Sequence, residues 1–111
     1  MDRDLQAKIE AAFDDLINAR KRLLEDKEAT QQAKETLKDT EAQYINGGYY
    51  TASGKNEAER GAAMRISTKV DRVKVSGCES QERSATLVLE IALDARRNLE
   101  SMLRIEELEA A

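Results

Sequence analysis

Gly54-Lys55-Asn56 brings together a flexible residue, a cation and a side chain suited to cap a helix. Free backbone amides at a helix start, beside a positive charge, can hold a phosphate or a carboxylate. Tyr44, Tyr49 and Tyr50 stand close by in the chain and are its only tyrosines. Their rings could stack on a nucleobase or on a partner's side chain. With Arg60 these residues make a candidate partner- or anion-binding tip. The turn falls short of a Walker-type loop, because Asn56 stands where Ser or Thr would follow the Gly-Lys pair and no strand precedes it. A structural reading stands beside the functional one: the tyrosines plug the open end of a helix bundle and Asn56 merely caps.

A basic stretch follows. From Lys55 to Lys74 there are six basic residues (Lys55, Arg60, Arg65, Lys69, Arg72, Lys74) against three acidic ones (Glu57, Glu59, Asp71). The spacing of Arg65, Lys69 and Arg72 places them on one helix face. With Lys74 they form a candidate track for a nucleic-acid backbone. The same side chains could instead pair with acids of the first helix, such as Glu35, Asp39 and Glu41.

Residues for catalysis are sparse. The chain has no histidine, the commonest general base. Cys78, the only cysteine, has no histidine to activate it and reads as a small core residue. Carboxylate pairs such as Asp14-Asp15 and Glu106-Glu107 are adjacent in sequence and so point to different faces of a helix. The Glu-x-x-His signature of di-metal helical sites is absent, and Glu59, Glu79 and Glu82 would meet a metal only by an accident of folding. The expectation is a protein with no catalytic residues, no metal and no cofactor.

The elements that position these residues are written in the heptads. Ile9, Leu16, Leu23, Thr30, Leu37 and Tyr44 recur every seven residues, interleaved with Leu5, Ala12, Ala19, Asp26, Ala33 and Thr40. This is the a/d seam of a helix packed on other helices. It predicts helix one over about 4–44, with Asp2 and Asp4 at the positive end of the helix dipole. Phe13, Ile17 and Leu24 broaden the apolar face of its first half. Alanines in the second half allow close approach. Asp26 and Thr30 interrupt the seam, either to set register or because packing loosens and Asp26 turns to solvent.

Asn46-Gly47-Gly48 should end helix one, since glycine tolerates positive φ. A linker over 45–55 precedes Asn56, which reads as an N-cap with Glu59 three residues on. Helix two is then predicted over about 56–108. Ile66, Val70 and Val73 keep helical spacing, but Val73-Lys74-Val75-Ser76-Gly77-Cys78 is a weak point where a break near 73–78 would fall. A continuous helix is the favoured reading. Beyond it Cys78, Ala85, Ala92 and Leu99 recur every seven residues, as do Gln81, Val88, Ala95 and Met102. The stretch 87–93 is apolar nearly all round.

Composition agrees with long helices. Aromatics are 4% of 111 residues, proline is absent, and charged residues reach 36% with a net charge of only −4. A short linker forces the two helices antiparallel. The predicted fold is therefore all-α: one long, coiled-coil-like helical hairpin over residues 1–111. The surplus apolar residues Phe13, Ile17, Leu24, Leu87, Leu89, Ile91 and Leu93 gather at one end. They predict a homo-oligomer, by default a dimer forming a four-helix bundle. No apolar h-region follows Met1 and no run reaches 18 apolar residues, so neither secretion nor a membrane partner is expected. A single cysteine permits no intrachain disulfide and suits the cytoplasm.

Gly54-Lys55-Asn56-Glu57-Ala58-Glu59-Arg60, followed by an alanine- and leucine-rich helix ending Arg96-Arg97-Asn98-Leu99-Glu100-Ser101-Met102-Leu103, resembles small phage-encoded helical proteins. Those often pair a Gly-Lys-Asn-x-x-x-Arg turn with a terminal coiled-coil helix. The resemblance covers about residues 45–108, and Val73 to Cys78 depart from it. It implies an accessory of phage recombination or replication, or an inhibitor of host defence, without catalytic residues. The expected job is thus binding: docking on a host or phage macromolecule, with a protein partner first. Single-stranded nucleic-acid binding and sequestration of a small anionic nucleotide are the alternatives.

Overall fold

The computed structural model describes residues 3–111; the expectation for Asp2 lies outside them. The chain is an all-α helical hairpin, with no strand among the described residues. Helix α1 spans Arg3–Asn46, α2 Tyr49–Ala52, α3 Glu57–Ser67 and α4 Lys69–Ala110. Freedom from proline lets α1 and α4 run for 44 and 42 residues. Gly47 and Gly48 end α1. The Gly47 N–H donates to the Gln43 carbonyl, and Gly48 takes the left-handed conformation at φ 81°, which a residue with a Cβ rarely adopts.

Helix packing divides the chain into two units. One comprises residues up to Glu25 with Glu82–Ala111. Within it Leu5, Ala12, Leu16 and Ala19 of α1 are buried, and Ala85 of α4 is fully enclosed. Ile9 and Leu23 complete the α1 seam, half-buried. On α4 the seam partners are Glu82, Leu89, Ala92, Arg96, Leu99 and Leu103, each half-buried.

That register corrects the predicted one. Val88, Ala95 and Met102 were expected in the seam, yet they are exposed, as is Gln81 in the other unit. Both candidate runs flank Ala85, Ala92 and Leu99 at helical spacing. The run that packs contains Glu82 and Arg96, both half-buried; the aliphatic stem of Arg96 covers apolar surface while its charged head reaches water. The Arg96 guanidinium sits 5.9 Å from the centroid of the Phe13 ring and its Nε donates to Glu100 at 2.9 Å, a cation–π arrangement. Leu89 and Leu93, expected among the surplus apolar residues, are half-covered within the chain.

The second unit is Asp26–Gln81. Its buried residues are small: Thr30, Ala33, Thr68 and Val75. The Thr30 hydroxyl donates to the Asp26 carbonyl one turn back at 3.0 Å, so a polar seam residue is satisfied locally. Asp26 is half-buried with one carboxylate oxygen withdrawn from solvent, which removes the reading that it turns outward.

Helix two is not continuous from Asn56, and its break is not near Gly77. Gly77 lies inside α4 on an open face. Its cost of about 1 kcal/mol relative to alanine is offset by Val75 and Cys78 packing on either side. The interruption is Thr68, between α3 and α4. Its N–H and its hydroxyl both donate to the Met64 carbonyl, each at 2.9 Å. The same hydroxyl bond occurs at Thr30 within the continuous α1, so here it satisfies a buried polar atom, while the backbone at Thr68 departs from helical geometry at φ −102° and ψ 13°.

Candidate functional site

All the predicted site residues fall in the unit Asp26–Gln81. Tyr44, half-buried at the end of α1, stacks with the exposed Tyr49 at the start of α2, with ring centroids 6.0 Å apart and planes 26° off parallel. Tyr50 is half-buried. The short α2 is held by Ser53, whose hydroxyl donates to the Tyr50 carbonyl at 2.8 Å, and by Thr51, bonded to the Gly48 carbonyl.

The Gly54-Lys55-Asn56 turn is closed by the chain itself. Asn56 caps α3, its side-chain oxygen accepting the Glu59 N–H at 2.9 Å. The Glu59 carboxylate reaches back to accept the Lys55 N–H at 2.8 Å. This is a capping box displaced by one residue, and it seats a carboxylate where an anion would have bound. Arg60 folds back so that Nε donates to the Gly54 carbonyl at 3.2 Å and Nη2 to that of Lys55 at 3.4 Å. The turn lies so tightly on α3 that a Cβ on Gly54 would come 2.6 Å from the Glu59 Cβ. Lys55 alone of the predicted charged tip residues is exposed.

The predicted basic track is divided. Arg65 ends α3, whereas Lys69 begins α4 beyond the Thr68 interruption. Arg72 is engaged: Nη2 donates to the Glu41 carboxylate of α1 at 2.8 Å and Nε to the Thr68 hydroxyl at 3.0 Å. Of the acids proposed as its partners, Glu41 is the one that meets it. Lys74 occupies another side of α4, lining a concavity of about 210 Å³ with Ala33, Thr36 and Cys78. Arg65, Lys69 and Lys74 are exposed, and Lys69 stands one turn before Arg72 on α4.

The feature that sequence reasoning missed lies in the other unit. Val88, Ile91 and Ala95 of α4 form one wall of a groove of about 390 Å³, with Asp15, Asn18 and Arg22 of α1 opposite. The same α4 face continues through Met102 and Ile105. Phe13 lies on the reverse side of the helix pair, beside Arg96 and Glu100, so the surplus apolar residues divide between two faces. The signal was present in the sequence: Val88, Ile91, Ala95, Asn98, Met102 and Ile105 repeat in steps of three and four without a charge.

These features define a class, the helical hairpin with a self-capped turn and an open apolar face. Comparison with known proteins gave no matching family model, no matching curated protein and no matching solved structure. Among the described residues no cluster of metal-ligating side chains occurs, and no helix is long and apolar enough to cross a membrane.

Proposed function

We propose that this chain is a non-enzymatic binding protein that works as an oligomer and docks on another macromolecule. The phage or mobile-element accessory or inhibitor role implied by the resemblance of its turn is part of this reading. One observation carries it. In a unit made of only two helical segments, Ile17, Leu24, Leu87, Ile91, Ile105 and Leu108 are each about half exposed or more. Apolar surface on that scale marks an interaction site. Many charges of both signs elsewhere keep such a chain dissolved.

The tip supports a protein partner better than an anion. The exposed Tyr49 ring, backed by Tyr44, offers a flat apolar anchor of the kind enriched at interfaces. Nucleotide sequestration ranks lower because Glu59 takes the Lys55 N–H. Single-strand binding ranks lower because Arg72 is committed to Glu41. The test is quantitative capture of a defined partner from host lysate by wild type and by Tyr49→Ala/Lys55→Glu. Retained capture would remove the tip. An absence of any stable partner and a solution mass of one chain would overturn the reading as a whole.

A further inference from the structure

We propose that the groove face of the first unit is a self-complementary interface for a second copy of this chain. In the paired form α4 lies antiparallel on α4 of the other copy, about a two-fold axis between Arg96 and Arg97. The inference rests on the oligomeric reading above and names its surface and register.

A two-fold interface is isologous: if one residue meets another across the axis, the second meets the first. The face must therefore read the same from both ends. The α4 face does so. Val88, Ile91, Ala95, Asn98, Met102 and Ile105 step by three, four, three, four and three residues. In the antiparallel register Val88 meets Ile105, Ile91 meets Met102 and Ala95 meets Asn98, each layer occurring twice. Leu87 and Leu108 flank this stripe on its rim, two residues out of register with one another: Leu87 comes level with Glu106 of the other copy and Leu108 with Ala85. The exposed large apolar side chains of α4 in this unit are Leu87, Val88, Ile91, Met102, Ile105 and Leu108; the register pairs the middle four and leaves the two leucines at its rim. Asn98 beside a small alanine supplies a polar layer on each side of the axis, the device that in coiled coils sets alignment.

Helix α1 points to the same axis independently. The face of α1 beside this stripe carries Lys8, Ala11 and Asp15, and these line a concavity together with Ala95 and Asn98. Ala11 is thus at the level of the α4 axis. An antiparallel approach of α1 to its copy about a point between Ala11 and Ala12 sets Lys8 of each chain opposite Asp15 of the other, two opposite-charge pairs, with the small Ala11 residues beside the centre. Both charged residues are exposed in the single chain.

The area approaches that of a stable dimer. At about 200 Å² for a fully exposed large apolar residue, the open fractions of Val88, Ile91, Met102 and Ile105 come to roughly 430 Å² per copy and those of the rim residues Leu87 and Leu108 to roughly 270 Å² more, against about 800 Å² that each partner contributes to a standard stable interface.

The test uses the full chain and sedimentation equilibrium. The wild type should sediment as two chains of 12.4 kDa. Ile91→Glu, at a position exposed in the single chain, should retain full helical circular dichroism and halve the mass. Lys8→Asp should raise the dissociation constant at least tenfold at low salt, and adding Asp15→Lys should restore it. In a Cys78→Ser background Ala11→Cys should form a disulfide-linked dimer under mild oxidation, whereas Phe13→Cys on the opposite face should not. A dimer that survives Ile91→Glu and dissociates with Ile17→Glu overturns this surface while sparing the oligomeric reading. An assembly that grows with concentration beyond two copies overturns the two-fold. A wild type that sediments as one chain overturns both.

Discussion

The Arg72 guanidinium joins the Glu41 carboxylate at 2.8 Å while its Nε donates to the Thr68 hydroxyl at 3.0 Å. That hydroxyl in turn donates to the Met64 carbonyl. One side chain therefore ties α1, the start of α4 and the end of α3 together at the point where helix two is interrupted. Thr68 is almost fully enclosed, so its polar atom has this network in place of water.

Arg72→Ala and Glu41→Ala should each lower stability by about 1 kcal/mol, since the pair is partly exposed and such charge-assisted bonds are modest in water. A double-mutant cycle in urea should show coupling between the two positions, and Thr68→Val should abolish part of the Arg72 effect. Additive losses for Arg72 and Glu41 would mean that the contact contributes nothing measurable.

Two glycines should respond to alanine in opposite directions. At Gly54 the added methyl meets the Glu59 Cβ at 2.6 Å and the Arg60 nitrogen at 3.0 Å, so Gly54→Ala should destabilise by about 1–3 kcal/mol. At Gly77 nothing lies within 4 Å of the new atom, and Gly77→Ala should stabilise by about 0.5–1 kcal/mol through helix propensity and a less flexible unfolded chain. Thermal melts of the two variants decide the sign of each.

Removing the α3 cap should act locally. Asn56→Ala deletes the acceptor for the Glu59 N–H and should cost about 1 kcal/mol. Amide exchange should speed up over the first turn of α3 and leave Leu16 and Ala85 protected. Uniform acceleration throughout the chain would show that the turn and the helix pair unfold together.

The seam of the first unit is close-packed around Leu16 and Ala85, both almost without solvent contact. Leu16→Ala should cost about 2–5 kcal/mol by leaving a cavity. Ala85→Leu should cost about 1–3 kcal/mol by overfilling the helix contact. The exposed Val88→Ala should cost less than either in a single chain. Chemical denaturation at a protein concentration low enough to populate single chains makes the comparison.

The a/d runs of α1 were legible because strict seven-residue spacing and the absence of proline leave one face to bury. Leu5, Ala12, Leu16, Ala19, Thr30 and Ala33 are buried as that pattern requires. The end of α1 at Asn46 was legible from two glycines, one of which takes positive φ. The cap at Asn56 was legible from its spacing to Glu59. On α4 the pattern was ambiguous, since Val88, Ala95 and Met102 look more like a seam than a run containing Glu82 and Arg96.

The amino-acid sequence alone determined the helices, the turn chemistry and the hairpin, because those depend on propensity, capping and periodicity within a few residues of one another. Tertiary structure decided which α4 stripe packs against α1, where helix two is interrupted and which basic residues are occupied. Each of those outcomes is a competition between near-equal local choices. It is settled by groups distant in sequence: the Phe13 ring under Arg96, and Glu41 reaching Arg72 across 31 residues.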